Sequence, residues 1–521
     1  MRLSLVLDSA AVPAWVAEVV RRLRRNPLVS IESFSTIGAN RRPSSQPLLY
    51  RLYLYWDDRR NRSNFNPLAI VDLSSELAGL AQKSLDEVEA DAAIWLSNSP
   101  AKVVPGQRLT RGVLRFVPSD PRRQSCGPPY YWELFHHEPV SGSAWELMPG
   151  TGEQPSIVAE AYSATEIGWS LRQNQAVPYA KAAALLERSL YHLSGASALE
   201  NSPSPTASST QIQPPAGPSR SLRLGTFIGK NVRRSIHRRA AYGRKEPFWF
   251  VAYRSDPKLF VSRTGQFHRD GFQVIPAPEG SFFADPFVMS QAGRTYIFVE
   301  DYPYREGKGV ISVLEVGSDG QIGQPQRVLD RPYHLSYPFV FEHGNSVYMI
   351  PETLASRRIE LYKATNFPYG WELVHIFKED IDAVDTTLWI QDGIFYFFTN
   401  LVEPGTTPND LLYLYLADSL TGEWRSHPAN PICADVRSSR SAGGLFVRGK
   451  SLIRPAQDCS VRYGYACQLN EIQTLSPTEY RERPAGRIEP DWHPGLIGTH
   501  TVNSNETIEV IDGQIYKSRN D

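Results

Sequence analysis

The feature that most constrains this chain is a strand–turn–strand unit that recurs along its second half. Its clearest copy is SFFADPFVMSQAGRTYIFVE, Ser281 to Glu300. It reads as a strand from Asp285 to Met289, a turn at Gly293 and a strand from Thr295 to Val299. Copies follow at Tyr337 to Glu352 (YPFVFEHGNSVYMIPE), Thr386 to Asn400 (TTLWIQDGIFYFFTN) and Gly443 to Gln457 (GGLFVRGKSLIRPAQ), with a fainter one from His500. Aligned on Asp285, Tyr337, Thr386, Gly443 and His500, the copies are spaced by 52, 49, 57 and 57 residues. A period of roughly 40 to 57 residues built from short strands specifies a β-propeller with one blade per repeat. Five copies specify five blades. The strand FWFVA, Phe248 to Ala252, stands before the first repeat and is a candidate to close the ring with the other end of the chain.

At 521 residues the chain is too long for one core. Leu3 to Leu7 reads as a buried strand. A helix follows, with Val12, Trp15, Val16, Val19, Val20 and Leu23 at helical spacing, then a strand from Ser30 to Phe34 and the buried strand AAIWL ending at Ser97–Asn98. This order specifies an open α/β layer over residues 1–194, of Rossmann type. Ligands of such sheets sit beyond the carboxyl ends of the strands, at Asp8 and Ser97–Asn98 here, although Asp8 also suits a simple helix cap. Leu48 to Trp56 fits helix or strand, and Lys181 to Ser194 reads as a helix. Residues 195–222 are rich in Ser, Pro, Ala and Thr and read as a disordered linker. Residues 223–245 read as a basic helix. Phe227, Ile228, Val232 and Ile236 form an apolar stripe suited to weak contact with an anionic membrane, or to packing between the domains. Residues 246–521 hold the propeller.

Composition excludes several classes. The 55 basic residues balance 55 acidic ones, so no bulk field draws in nucleic acid. No GxGxxG follows the first strand and no Walker A motif is present, which removes nicotinamide and P-loop chemistry; no cofactor and no metal are expected. Cys126, Cys433, Cys459 and Cys467 lack zinc spacing. Cys459 and Cys467 could face each other across a hairpin, but so few cysteines suit free thiols of a reducing compartment. No run is long enough for a membrane helix, and a cytoplasmic protein is the expectation.

The repeats share their apolar bodies and differ at their polar ends. Asp285, Tyr337, Thr386, Gly443 and His500 are expected to ring one end of the channel, with Asp385 beside them. Glu300, Glu352, Asn400 and Gln457 form a wider polar ring. Such asymmetry on a symmetric scaffold is what a binding site requires. Glycoside cleavage needs two carboxyl groups flanking the scissile bond, and Asp285 and Glu352 come from adjacent blades. Asp385 or Glu300 could tune the proton donor. Arg440 and Arg454 could hold carboxylate, phosphate or sugar hydroxyls. Arg454, Gln457 and Asp458 also suit an internal network, and His500 suits a hydrogen-bonded core position.

The block from about Glu246 onward resembles the five-bladed propeller of glycoside hydrolase family 43. There, Asp-Pro at the start of a first-blade strand is typical of the general base, and Asp285-Pro286 matches it. The segments FFADPF, YPFVFE, YMIPE, RPAQD and GTH resemble the propeller module at the N-terminus of plant glucosamine inositolphosphorylceramide transferases. The order of elements before it, with Gly112 to Met148, resembles the formyltransferase-like fold. Where that family carries its His-Pro-Ser stretch this chain has VPSDPRR, and His136 and His137 are the nearest histidines. The resemblance implies a carbohydrate or glycoconjugate substrate with Asp285 as general base; the repeat positions themselves, and not a family motif, add Glu352 and Asp385 to the acid/base set. Glu300, Tyr337, Asn400, Arg440, Arg454, Gln457 and His500 would bind the sugar. A glycan-binding module without catalysis and a group transferase using the N-terminal domain are the other readings.

Overall fold

The computed structural model describes residues 1–38, 48–60, 66–97, 99–101, 107–121, 128–150, 154–165, 168, 170–194, 225–233, 236 and 245–518. The linker expected at 195–222, Asn98, Cys126 and most of the basic stretch beyond residue 233 lie outside them. The chain forms two compact units, Met1–His237 with Glu403–Thr406, and Arg238–Val402 with Thr407–Asp521.

The first unit is an α/β layer. Its seven-stranded sheet runs in the order Ala81–Gln82, Ser30–Thr36, Arg2–Leu7, Glu89–Trp95, Arg108–Val117, Val140–Met148, Ser156–Ala164. The first five strands are parallel and the last two antiparallel. Continuous apolar runs suit parallel strands covered on both faces, and Leu3, Leu5, Val6, Ala92, Ala93 and Ile94 have no exposed surface. Helix Ala14–Arg25 buries Trp15, Val16, Val19, Val20 and Leu23.

Three local expectations are revised and one open alternative is resolved. Asp8 does not cap that helix: strand Ala11–Pro13 intervenes, paired with Ile70–Asp72, and the helix starts after Pro13 without a side-chain cap. Asp8 instead accepts the Ser97 hydroxyl at 2.5 Å. Residues Leu48–Arg60 are helical. The helix expected from Lys181 begins at Leu171 and runs through Pro178. Tertiary bonds hold it despite the proline, with buried Lys181 donating to the Tyr162 carbonyl and the Trp145 indole to the Ala182 carbonyl, each at 2.8 Å. In the basic stretch, residues 225–233 are helical, but the apolar stripe is split. Phe227 is fully buried against Tyr53, Tyr131 and Phe135, while Ile228, Val232 and Ile236 are exposed. One residue turns a helix by about 100°, so position 227 leaves the face shared by 228, 232 and 236. No helix among the described residues is long and apolar enough to cross a membrane. His136 and His137 are exposed.

The second unit is a five-bladed propeller. Four blades are consecutive four-stranded antiparallel meanders, starting with strands Ser281–Gln291, Ser336–His343, Ala383–Gln391 and Phe446–Arg448. The fifth is assembled from both ends of the unit. Leu496–Gly498 and Val502–Ser504 pair with Glu509–Ser518, which pairs with Lys245–Arg254, which pairs with Gln273–Ile275. The expected closing strand thus lies inside a ten-residue register, Lys245 opposite Ser518 through Arg254 opposite Glu509. Aromatics fill the joints between blades. Trp371 meets Phe298 of the preceding blade edge-on at 5.9 Å, and Trp424 stacks on Phe377 of its predecessor at 4.8 Å. Cys433, Cys459 and Cys467 are free and buried; Cys467 donates to the Thr499 carbonyl and is not paired with Cys459.

A buried ion pair locks the closure. The Arg254 side chain is 1% exposed and that of Glu509 0%. Arg254 Nε donates to Glu509 Oε2 at 2.7 Å, and its Nη1 donates to the carbonyls of His268 and Asp270. Glu509 Oε1 accepts the Val261 N–H at 2.7 Å. The guanidinium lies 4.2 Å from the centre of the Phe272 ring. Removing one charge strands the other in the core. Glu509→Gln is expected to lower the unfolding free energy by about 3 to 5 kcal/mol, read from urea unfolding curves.

Candidate functional site

The centre of the propeller is built by β-bulges. In each of the first three blades, two residues of the innermost strand face one residue of its neighbour: Asp285 with Pro286, Tyr337 with Pro338, and Asp385 with Thr386. The first of each pair is left-handed, with φ of 49°, 44° and 53°. The fourth blade has Gly443 at φ 130°, where a Cβ would stand 2.3 Å from the Val502 carbonyl oxygen. The structural equivalents are therefore Asp285, Tyr337, Asp385 and Gly443. Thr386 is one residue out of step, and its hydroxyl bonds Thr399 inside the blade at 2.8 Å. The residues opposite the strand just before each bulge are Glu300, Glu352 and Asn400. In the fourth blade Gln457 donates its N–H to the Arg440 carbonyl, and in the fifth Asp512 donates its N–H to the Thr501 carbonyl.

Some of these groups line a cavity of about 460 Å³. Asp285, Glu300 and Glu352 line it together with Arg440 and His500. Aromatic faces complete the wall: Trp249, Tyr463, and the cross-strand pair Phe282 and Tyr302, stacked at 4.9 Å. Asp285 is 5% exposed. Its Oδ1 accepts the Thr501 hydroxyl at 2.8 Å and its Oδ2 the Tyr337 N–H at 3.2 Å. Its own N–H goes to Asp512 at 3.3 Å. His500 Nδ1 is 2.5 Å from Asp512 Oδ2, its Nε2 is 3.7 Å from Asp285 Oδ1, and its ring stacks on Trp249 at 3.9 Å. Glu352 accepts the Leu354 N–H at 2.6 Å and the Ser336 hydroxyl at 3.1 Å. Glu300 Oε1 is 3.4 Å from His334 Nε2, and because His334 Nδ1 accepts the Gly309 N–H, the neutral ring carries its proton on Nε2.

The carboxyl groups perturb one another. Burial, with Asp385 nearby, pushes the Glu352 carboxyl up to about 7. Burial and then Asp285 and Glu352 raise Glu300 well above the usual carboxylate range. Burial also raises Asp285, with His500 and the Thr501 hydroxyl pulling the other way. Burial opposes charge on His500, but Asp512 and Asp285 outweigh it and its pKa is raised. Arg440 is likewise opposed by burial and more than restored by Asp385, which it meets at 2.7 Å.

The other sequence-selected residues serve the scaffold. The Tyr337 hydroxyl accepts the Gly443 N–H at 3.0 Å and lies 2.9 Å from the Thr387 hydroxyl, tying the second blade to the third and fourth. Asn400 donates to the carbonyls of Leu411 and Ser439, and Gln457 to that of Ser441. Arg454 is 1% exposed and pairs with Glu482 at 2.6 Å. None of these four lines the cavity. Asp385 acts on the cavity through Arg440. Asp512, Trp249, His334, Tyr463 and the Phe282–Tyr302 pair are additions from the structure. Asp285, His500 and Asp512 place one possible ligand atom each within 4.8 Å of one another. Within this set His500 Nδ1 meets Asp512 Oδ2 at 2.5 Å, while its Nε2 stands 3.7 Å from Asp285 Oδ1.

Residues 274–489 match the family model described as glucosamine inositolphosphorylceramide transferase 1, N-terminal. The chain is 35% identical over 208 residues to the glucosamine inositolphosphorylceramide transferase 1 of Oryza sativa subsp. japonica, covering 39% of this chain and 28% of that protein. To that of Arabidopsis thaliana it is 34% identical over 248 residues, 45% and 32% of the two chains. It thus spans about a third or less of these curated relatives. Among solved structures it is similar to the catalytic domain of the Coprinopsis cinerea GH62 α-L-arabinofuranosidase, at 11% identity over 44% of this chain and 90% of that one, with a TM-score of 0.33.

Folded Glu352 keeps its proton to about pH 7, whereas the ordinary value is 4.5. Between these values the folded state binds more protons than the unfolded one, so stability falls as pH rises through that window. Glu352→Gln is expected to remove a loss on the order of 3 kcal/mol, seen by comparing urea unfolding at pH 5 and pH 7.5 for both proteins.

Proposed function

We propose that the propeller binds a carbohydrate or glycoconjugate in its axial cavity and cleaves or transfers a glycosidic bond by acid/base catalysis. The observation that carries this reading is the combination in one cavity of aromatic faces with carboxyl groups from adjacent blades whose environments differ. Phe282, Tyr302 and Trp249 offer the apolar surfaces on which sugar C–H faces pack. Glu352, protonated up to about pH 7, is suited to donate a proton to the leaving oxygen. Asp285 has an imidazole and a hydroxyl donor beside it, which favour its carboxylate form for drawing a proton from water or an acceptor hydroxyl. Asp385 holds Arg440 at the cavity wall, and a protonated Glu300 can donate to a sugar hydroxyl. The matched relatives are named as glucosamine inositolphosphorylceramide transferases, which agrees with a carbohydrate ligand.

A glycan-binding module without turnover is the rival reading. It is favoured by one observation: both Asp285 oxygens already have donors, from Thr501 and Tyr337. For the first unit, the parallel sheet with Asp8 and Ser97 at its carboxyl ends supports a formyltransferase-like α/β domain as part of the same proposal.

Asp285→Asn and Glu352→Gln, assayed separately on a panel of aryl glycosides, are each expected to reduce kcat by about 100-fold or more. Sugar binding by calorimetry, with no product from the unaltered protein and none lost in either variant, would establish the binding module instead.

A further inference from the structure

Asp512 stands outside the three carboxyl groups that face the cavity, yet it touches more of the site than any of them. It has no exposed surface. Its Oδ1 accepts the backbone N–H of His500 at 2.8 Å and of Thr501 at 3.0 Å. Its Oδ2 accepts the backbone N–H of Asp285 at 3.3 Å and faces His500 Nδ1 at 2.5 Å. Four donors fill the lone-pair directions of one carboxylate. Two belong to the segment between strands Leu496–Gly498 and Val502–Ser504 that presents His500, one to the His500 ring, and one to the left-handed residue of the first blade.

We infer that Asp512 is the positioning residue of the cavity: one carboxylate that fixes the His500 ring as a cation with Nε2 toward Asp285 and pins the Asp285 backbone in its bulge. This rests on the reading of Asp285 as the proton acceptor. The consequence follows from hydrogen-bond polarity. With Nδ1–H committed to Asp512, the ring can approach Asp285 only through Nε2, 3.7 Å from Oδ1. Trp249, stacked on one ring face at an interplanar angle of 16°, keeps the imidazole in that plane. The charged and titratable groups around His500 are Asp512 on its own blade, Asp285 on the first, and Arg440 and Tyr463 on the fourth. The two carboxylates outweigh Arg440, so the positive ring supports the Asp285 carboxylate. In Asp512→Asn the amide has the same shape but turns two donors toward His500 Nδ1 and the Asp285 N–H. The ring must then give up its Nδ1 proton to accept from the amide, and Asp285 loses its cationic neighbour.

The experiment follows the His500 ring by NMR in the full chain with labelled histidine, its signal assigned by its loss in His500→Gln, from pH 5 to 9. In the unaltered protein the His500 ring is expected to titrate above the ordinary imidazole value. In Asp512→Asn its midpoint is expected to fall below that of the unaltered protein. With an aryl glycoside that the protein turns over, Asp512→Asn is expected to lower kcat by roughly tenfold or more, leave KM within about twofold, and move the acid limb of the pH profile upward. A His500 midpoint at or below the ordinary imidazole value in the unaltered protein overturns the inference and needs no variant to fold. So does an Asp512→Asn protein with the same His500 titration and the same pH profile. If the unaltered protein turns over no glycoside, the catalytic reading fails while the NMR titration still decides the role of Asp512.

Discussion

The bulge in the innermost strand of each of the first three blades is the constraint on which the rest of the site depends. An extra residue there breaks the alternation of the strand and sends the first residue of the pair into the left-handed region, where L-residues other than Asn, Asp and Gly are seldom found. Asp285 and Asp385 tolerate it readily. Tyr337, at φ 44°, does not, and a conformation of that kind costs about 1 to 3 kcal/mol. The surroundings over-determine it: its N–H is taken by Asp285 and its hydroxyl reaches the third and fourth blades. Relieving the bulge would withdraw the carboxylates from the axis and undo the mutual perturbation of Glu300, Glu352 and Asp285.

Equivalent positions on this near-symmetric scaffold have been put to different uses. Glu300 and Glu352 occupy the same register and both face the cavity, whereas Asn400 turns its amide to two backbone carbonyls. An amide can donate twice to carbonyls and a carboxylate cannot, so the change from Glu to Asn converts a cavity group into a strut. The first, second and fifth blades supply the carboxyl chemistry. The third and fourth supply the Asp385–Arg440 pair and the aromatic Tyr463.

Much of the propeller was legible in the sequence because the apolar bodies of its strands repeat and because FWFVA stood before the first repeat without a partner. The register at the axis was legible where proline marked the bulge, at Pro286 and Pro338, and at Gly443. In the third blade Thr386 stands in place of that proline, and an alignment on apolar residues slid by one, putting Thr386 where Asp385 belongs. Asp512 was hidden by its neighbour: Asp-Gly is a strong turn signal, yet Gly513 lies inside the ten-residue strand Glu509–Ser518. In the first unit the same limit operates. Pro178 reads as a helix boundary, and only the packing of Lys181 and Trp145 shows that the helix passes through it. Tyr337, Asn400, Arg454 and Gln457 have the chemistry of ligand contacts, and sequence does not reveal that neighbouring strands have already claimed it.

The composite fifth blade sets a timetable for the protein during its synthesis. Strand Lys245–Arg254 leaves the ribosome with Trp249 already in place, but its long partner, Glu509–Ser518, lies some 255 residues further on. At ordinary rates of translation that delay is on the order of 10 to 50 s. Throughout it, the edge of Lys245–Arg254 that will meet Glu509–Ser518 is open to any other unpaired strand. The cavity wall lacks His500 until nearly the end of that interval, and its anchor Asp512 comes later still. A nascent or truncated chain can therefore fold four blades and hold no site, which couples the appearance of the cavity to completion of the ring.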